Sequence, residues 1–142
     1  MTFRLFPHLT LLGALCASSY GAVEFNRDIR PILTAHCTAC HGGVKAAGGV
    51  SFIYREKALG IGKSGAHTIV AGQPEASELI KRVLSQDEEE VMPKPEHGPR
   101  LKDAEVAKLR QWIAEGAKWS EHWSLVPPVE PPAPVVQDNA WS

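Results

Sequence analysis

The sequence predicts an all-α fold, a small domain of about three main helices with long glycine-rich loops. Apolar side chains recur at helical spacing in three separate segments. A glycine-rich stretch separates the first segment from the second. The chain has 142 residues, and setting aside a leader-like start and a proline-rich end leaves about 100, the size of one small domain.

Both ends justify that trimming. Residues 1–22 place one positive charge, Arg4, before an apolar run through Cys16, then small residues at Ser18, Ser19 and Gly21. This is the order of a secretory signal peptide. The run is too short, and too interrupted by Pro7 and His8, for a comfortable membrane span. An uncleaved anchor or a lipoprotein reading through Cys16 fits less well. The far end, Val126-Pro127-Pro128-Val129-Glu130-Pro131-Pro132-Ala133-Pro134, reads as a polyproline-type linker. The expected organisation is therefore a signal peptide at 1–22, a folded domain at 23–123 and a Pro-rich tail at 124–142.

Composition narrows the class. At 44% hydrophobic and 22% charged residues the chain is an ordinary globular one. Fifteen Lys and Arg nearly balance sixteen Asp and Glu. That balance supplies no field for holding nucleic acid or an acidic membrane, and no surface that would steer one partner over another.

The first helix takes its stripe from Ile29, Ile32, Leu33 and Cys37, with Asn26 or Asp28 as candidate cap, Pro31 in the first turn and a stop at Gly42-Gly43. Residues 42–73 read as loop, with Val50-Ser51-Phe52-Ile53 extended and a helical turn at Glu56-Lys57-Ala58-Leu59. So long a loop in a compact domain usually serves or wraps something. The second helix is expected from Pro74 through Leu84, lined by Leu79, Ile80, Val83 and Leu84. An exposed acidic run, Asp87-Glu88-Glu89-Glu90, and the extended Val91-Met92-Pro93 follow. The third helix opens at Asp103, buries Val106, Leu109, Trp112 and Ile113, and ends at Gly116. Trp119 and Trp123 stand where they could cover an apolar patch.

The chemistry concentrates in Cys37-Thr38-Ala39-Cys40-His41. Once the leader and Cys16 are gone, these two cysteines are the only ones left. CxxCH is the attachment pattern of haem c: thiols at i and i+3 meet the two vinyl groups along one haem edge, and the next residue offers its imidazole to the iron. Chance alone predicts only about 0.003 such matches in a chain of this composition. Structural zinc would need a second ligand pair. A thioredoxin-type dithiol would need a βαβ setting rather than a leading helix. A plain Cys37–Cys40 disulfide is the third competing reading.

For the sixth iron position the mature chain offers one methionine, Met92, on a stretch stiffened by Pro93. A thioether there raises the reduction potential relative to a second imidazole. His67 and His97 are the rival ligands; His36, beside the motif, is expected at the surface. No Ser/His/Asp set, phosphate loop or second haem motif is present, and no catalytic residue is identified.

Taken together, these residues resemble the class I cytochrome c superfamily, and within it the planctomycete-type cytochrome c domain. The resemblance runs over about residues 24–128. It is carried by Phe25-Asn26-Arg27-Asp28-Ile29-Arg30-Pro31-Ile32-Leu33, Cys37 to Gly42, Val70-Ala71-Gly72-Gln73-Pro74-Glu75-Ala76-Ser77-Glu78-Leu79-Ile80, Met92-Pro93, Leu109 to Ala117 and His122 to Pro128. The chain departs from the family where Lys94 follows Met92-Pro93 and where Ser51-Phe52-Ile53-Tyr54-Arg55 follows the haem motif.

The resemblance implies a helical domain around one covalently bound haem c, with Cys37 and Cys40 as thioether anchors, His41 as proximal ligand and Met92 as distal ligand. It implies a periplasmic electron carrier rather than an enzyme, working with one or more redox partner proteins. Neither nucleic acid nor an integral membrane span after signal cleavage enters the expectation. The competing reading is a small-ligand sensor or peroxidase-like enzyme with an open sixth iron position. In this family the domain commonly heads a larger protein, so the chain is expected to be either a free-standing version or a piece of one.

Overall fold

The computed structural model describes residues 21–121 together with 124, 128 and 130. Among them are four α-helices and no strand: α1 (Arg30–His36), α2 (Arg55–Leu59), α3 (Glu78–Leu84) and α4 (Asp103–Ala114). Shorter helical turns occur at Phe25–Ile29, Ala47–Gly49, Pro74–Ala76 and Pro95–His97. The all-α expectation holds, with the turn foreseen at Glu56–Leu59 forming α2. The signal peptide and the Pro-rich tail fall almost wholly outside the described residues, as do Cys16, His122 and Trp123.

The start of α1 differs from the expected cap. Glu24 is the capping residue, its carboxylate accepting the Arg27 N–H at 2.6 Å. Asp28 contributes from inside the turn by accepting the Glu24 N–H at 3.0 Å. Pro31 has no N–H to give, so the usual ladder cannot pass through it, and a wide turn at Phe25–Ile29 precedes the α-helix. Asn26, the other candidate cap, instead ties the domain's two ends together. Its amide donates to the Glu121 carbonyl at 2.8 Å, and its oxygen accepts Arg30 Nε at 2.8 Å.

The other end of α1 also moves. The helix stops at His36 rather than Gly42-Gly43: the Thr38 N–H bonds back to Leu33 O, and Cys37 adopts φ −122°. The second expected helix is divided. Pro74–Ala76 form a 3₁₀ turn, Ser77 is extended at φ −78°, ψ 125°, and α3 begins at Glu78. The buried Ser77 hydroxyl explains the break. It donates to Gln73 O and accepts the Val70 N–H, both at 2.9 Å, offering the backbone a local alternative to the helix. Leu84, expected on the stripe, is 43% exposed, because α3 ends there and the chain turns toward the acidic loop.

Helix α4 matches its reading. Val106, Leu109, Trp112 and Ile113 are buried. Glu105 reaches back to accept the Lys102 N–H at 2.8 Å, which substitutes for the absent Ser or Thr cap. Gly116 follows the helix at φ +97°, a conformation that favours glycine.

These helices meet in one core. Phe25, Ile29, Ile32 and Leu33 from the first segment pack with Leu79, Ile80 and Val83 of α3 and the buried face of α4. The Phe25 ring lies 5.5 Å from Trp112 and 4.3 Å from Trp119, so Trp119 covers an apolar patch as anticipated. Trp112 donates its indole N–H to Lys118 O at 2.8 Å, which satisfies its polar atom while the ring is buried. The residues between α1 and α4 are left to wrap a cavity.

Candidate haem site

A cavity of about 530 Å³ opens beside this core, within the range of roughly 300–1,000 Å³ that encloses a sizeable organic ligand. Cys37, Cys40 and His41 lie on its wall, and Met92 and Pro93 also line it. Val50, Phe52, Leu79 and Val83 supply apolar surface. Residues separated by about fifty positions in sequence therefore meet around one space.

The CxxCH turn is built by short-range backbone bonds. The N–H groups of Cys40 and His41 both donate to Cys37 O, at 3.2 and 2.8 Å. Ala47 N–H closes onto Cys40 O at 3.0 Å, and Gly42 N–H onto Lys45 O at 2.7 Å. Gly42 has no freedom to be another residue: a Cβ there would sit 2.5 Å from the Thr38 carbonyl oxygen, a backbone atom that cannot simply rotate away.

His41 is oriented as a metal ligand should be. Its Nδ1 lies 3.0 Å from the Ala47 carbonyl, which can only accept. Nδ1 is thus the protonated nitrogen, and Nε2 keeps the lone pair that an iron needs. The Phe52 ring stands edge-on at 5.8 Å and limits rotation of the imidazole.

Both cysteines are free thiols, so the disulfide reading finds no support. Burial pushes the Cys37 thiol up to about 12, keeping it neutral. Cys40 has Lys45 Nζ 3.8 Å from its sulfur. Among the described residues no three His, Cys, Asp or Glu side chains converge as a metal-binding group, which leaves structural zinc without a ligand set.

Elsewhere on the lining, Met92 N–H donates to Arg82 O at 3.1 Å, which docks the Met92-Pro93 stretch onto the end of α3. Arg82 Nε donates to Glu78 at 2.8 Å, and its other arm reaches the Glu90 carbonyl at 3.5 Å. Lys94 crosses the acidic loop, donating to the carbonyls of Glu88 and Glu89 at 3.1 and 2.6 Å. Of the two rival histidines, His67 is exposed and does not line the cavity, its ring nitrogen lying 3.2 Å from Leu59 O. His97 is exposed too, yet reaches the cavity's rim.

His36 corrects an expectation. It is not a free surface residue: its side chain is 16% exposed, lines the cavity, and lies 3.3 Å from Glu105. The Glu105 carboxyl is held below its ordinary range, first by the Lys102 N–H and then by His36. The ties of Arg82 and Lys94 were also missed, because pairings between a helix and a later loop leave no periodic signature.

The donor set fits a haem. Two thiols three residues apart, an adjacent imidazole with its outer nitrogen free, and a thioether sharing the cavity are what covalent attachment and His/Met ligation require. An all-α fold with this constellation defines the class of c-type haem proteins. Residues 37–96 match the family model described as planctomycete cytochrome C. The match begins at the first cysteine and takes in Met92; it is shorter than the resemblance drawn from motifs, leaving out α1 and α4. No curated protein and no solved structure matches the chain.

Proposed function

We propose that the protein is a monohaem c-type cytochrome that carries single electrons between partner proteins in the periplasm. In this reading Cys37 and Cys40 anchor one haem c, His41 is the proximal ligand and Met92 the distal one. The folded unit is residues 23–123, preceded by a cleaved leader and followed by a Pro-rich tail. The observation that carries the proposal is the meeting of Cys37, Cys40, His41 and Met92 around one cavity, with the His41 tautomer fixed by Ala47.

A bound haem would supply the one-electron couple; the chain's own residues set its surroundings. Ala47 holds the proton on His41 Nδ1, and Phe52 restrains the ring. Val50, Leu79 and Val83 give the cavity an apolar lining, and such a lining favours the less charged state of a redox centre held there. Arg82 and Lys94 keep the Met92 wall in place. Among the described residues no helix is long and apolar enough to cross a membrane.

The test is a pyridine haemochrome on protein matured in a c-type system, followed by spectra of Met92→Ala. Covalent haem, and a methionine–iron charge-transfer band lost in Met92→Ala but kept in His97→Ala, are the expected results. Absence of covalent haem refutes the reading. A high-spin oxidised protein that binds cyanide or peroxide rapidly would instead favour the open-site sensor or enzyme.

A further inference from the structure

The near-neutral chain conceals a separation of charge. Between residues 43 and 66 stand Lys45, Arg55, Lys57 and Lys63 against the single acid Glu56. Between 73 and 97 stand seven acids against Lys81, Arg82 and Lys94. The two sets also differ in partnering. Arg82 and Lys94 are in ion pairs, whereas none of the four cations in 43–66 makes one among the described residues. The sequence-based expectation that balanced charge leaves no steering surface is therefore corrected.

The unpaired cations lie beside the thioether turn. Lys45 Nζ approaches Cys40 Sγ, one of the two thiols that would anchor a haem, at 3.8 Å. The Tyr54 hydroxyl lies 3.5 Å from where a Gly43 Cβ would stand, and Lys57 Nζ is 5.6 Å from the centre of the Tyr54 ring. Lys63 borders the cavity across Gly48, whose carbonyl accepts the Lys63 N–H at 2.7 Å. Apolar groups stand exposed in the same place: Val44 completely, Tyr54 at 47%. Exposed apolar side chains ringed by unpaired like charges are costly to keep in isolation and complement a surface of opposite charge.

We propose that the face formed by Val44, Lys45, Tyr54 and Lys57, with Lys63 at its border, docks an acidic protein surface and brings the electron-transfer partner to the Cys40 edge. The proposal rests on the electron-carrier reading and adds the partner's chemistry and the route of approach. The cations steer encounter, and Val44 and Tyr54 provide the small apolar contact of a transient complex.

The test uses the holoprotein and two one-electron oxidants of opposite charge. Reduced protein gives one electron to hexacyanoferrate(III), forming hexacyanoferrate(II), or to hexaammineruthenium(III), forming the ruthenium(II) complex. At low ionic strength Lys45→Glu/Lys57→Glu is expected to slow the anionic oxidant by about tenfold and to spare or speed the cationic one. The difference should vanish near 1 M salt, where the screening length falls to about 3 Å. Lys81→Glu/Lys118→Glu changes the net charge equally and should leave the anionic rate within about twofold.

Poly-L-glutamate should shift the amide resonances of residues 43–63 in the wild type and not in the double variant, while polylysine should shift those of 86–90. Lys57→Glu alone, which leaves the Cys40 contact intact, should give a partial version of both results. Equal slowing by both charge-reversed pairs, or polyglutamate shifts elsewhere, overturns the proposal. Concentration-dependent self-association abolished by Lys45→Glu overturns it in favour of a second copy of the chain. Failure of the electron-carrier reading is distinct, since it is read from the haemochrome and not from these shifts.

Discussion

On the wall of the cavity that carries Cys37, Cys40 and His41, the chain closes on itself over a short span. The carbonyls of Leu33, Cys37, Cys40 and Lys45 accept from near neighbours in sequence, His41 O accepts from Phe52 N–H, and Ala47 completes the set by fixing His41. On the wall that carries Met92, only one backbone bond, to Arg82 O, holds the residue itself. The loop before it turns on two more, from Glu90 and Val91 N–H to Asp87 O, and side chains do much of the remainder: Arg82 on Glu78 and Glu90, Lys94 on the Glu88 and Glu89 carbonyls. The first wall is flanked by cations and built mainly by the backbone; the second is flanked by acids and leans more on side chains. Local opening concentrates where buried contacts are few and hydrogen bonds face solvent, as in the exposed run 87–90 that leads to Met92.

If that contrast is right, a small change in the backbone-built wall should exceed a larger one in the other. Gly42→Ala adds one methyl group, but places it 2.5 Å from Thr38 O. The turn must deform, at an expected cost of about 1–3 kcal/mol. Denaturant unfolding of the holoprotein measures it, alongside the yield of covalent haem, which should also drop. A variant with wild-type stability and yield would mean that the turn is more pliable than its hydrogen bonds indicate.

The distal wall should respond less and more locally. Arg82→Gln removes the ion pair with Glu78 and weakens the reach to Glu90, leaving the Arg82 carbonyl in place for Met92. Side-chain exposure near 30% discounts the pair, so a global loss of about 0.5–1 kcal/mol is expected. Amide exchange at Val91 and Met92 should accelerate by a few-fold while His41 and Ala47 stay protected. Uniform acceleration on both walls would erase the distinction between them.

The same contrast explains what could be read without coordinates. The CxxCH turn is local, so its residue types and spacing were enough to place the two thiols and the imidazole. Helix α4 was legible because its apolar period and Gly116 report one face and one end. The misplaced boundaries share a cause: a side chain or a missing donor redirected the backbone. The Ser77 hydroxyl bonds back to Val70 and Gln73 and splits the second helix, and Pro31 forces the wide turn before α1. The charge segregation was present in the sequence, but a summed net charge hides it. That His36 turns inward toward Glu105 depends on α1 and α4 packing together, which no local pattern encodes.

The smallest expected effect lies outside both walls and serves as their control. Asp28 sits at the start of the first helical segment, where Arg27 donates to its carboxylate at 2.6 Å and Lys108 lies 3.3 Å away. These groups hold the Asp28 carboxyl well below the usual carboxylate range: the Arg27 hydrogen bond contributes most, burial opposes it, and the Glu24 N–H and Lys108 add to it. A depressed folded-state value stabilises the fold above the unfolded value, near pH 4, and that contribution fades as pH falls below it. Arg27 is 68% exposed, so solvent screening keeps the contribution small. Asp28→Asn should therefore lower the denaturant midpoint at pH 7, draw progressively nearer the wild type as pH falls from about 4 toward 2, where the unfolded carboxyl takes up a proton that the native one still refuses, and leave the haem spectrum unchanged. A gap that stays constant across that pH range would assign the loss to the Glu24 N–H contact, which an amide oxygen can also accept, rather than to charge. A changed haem spectrum would show that the helical frame and the two walls are mechanically coupled.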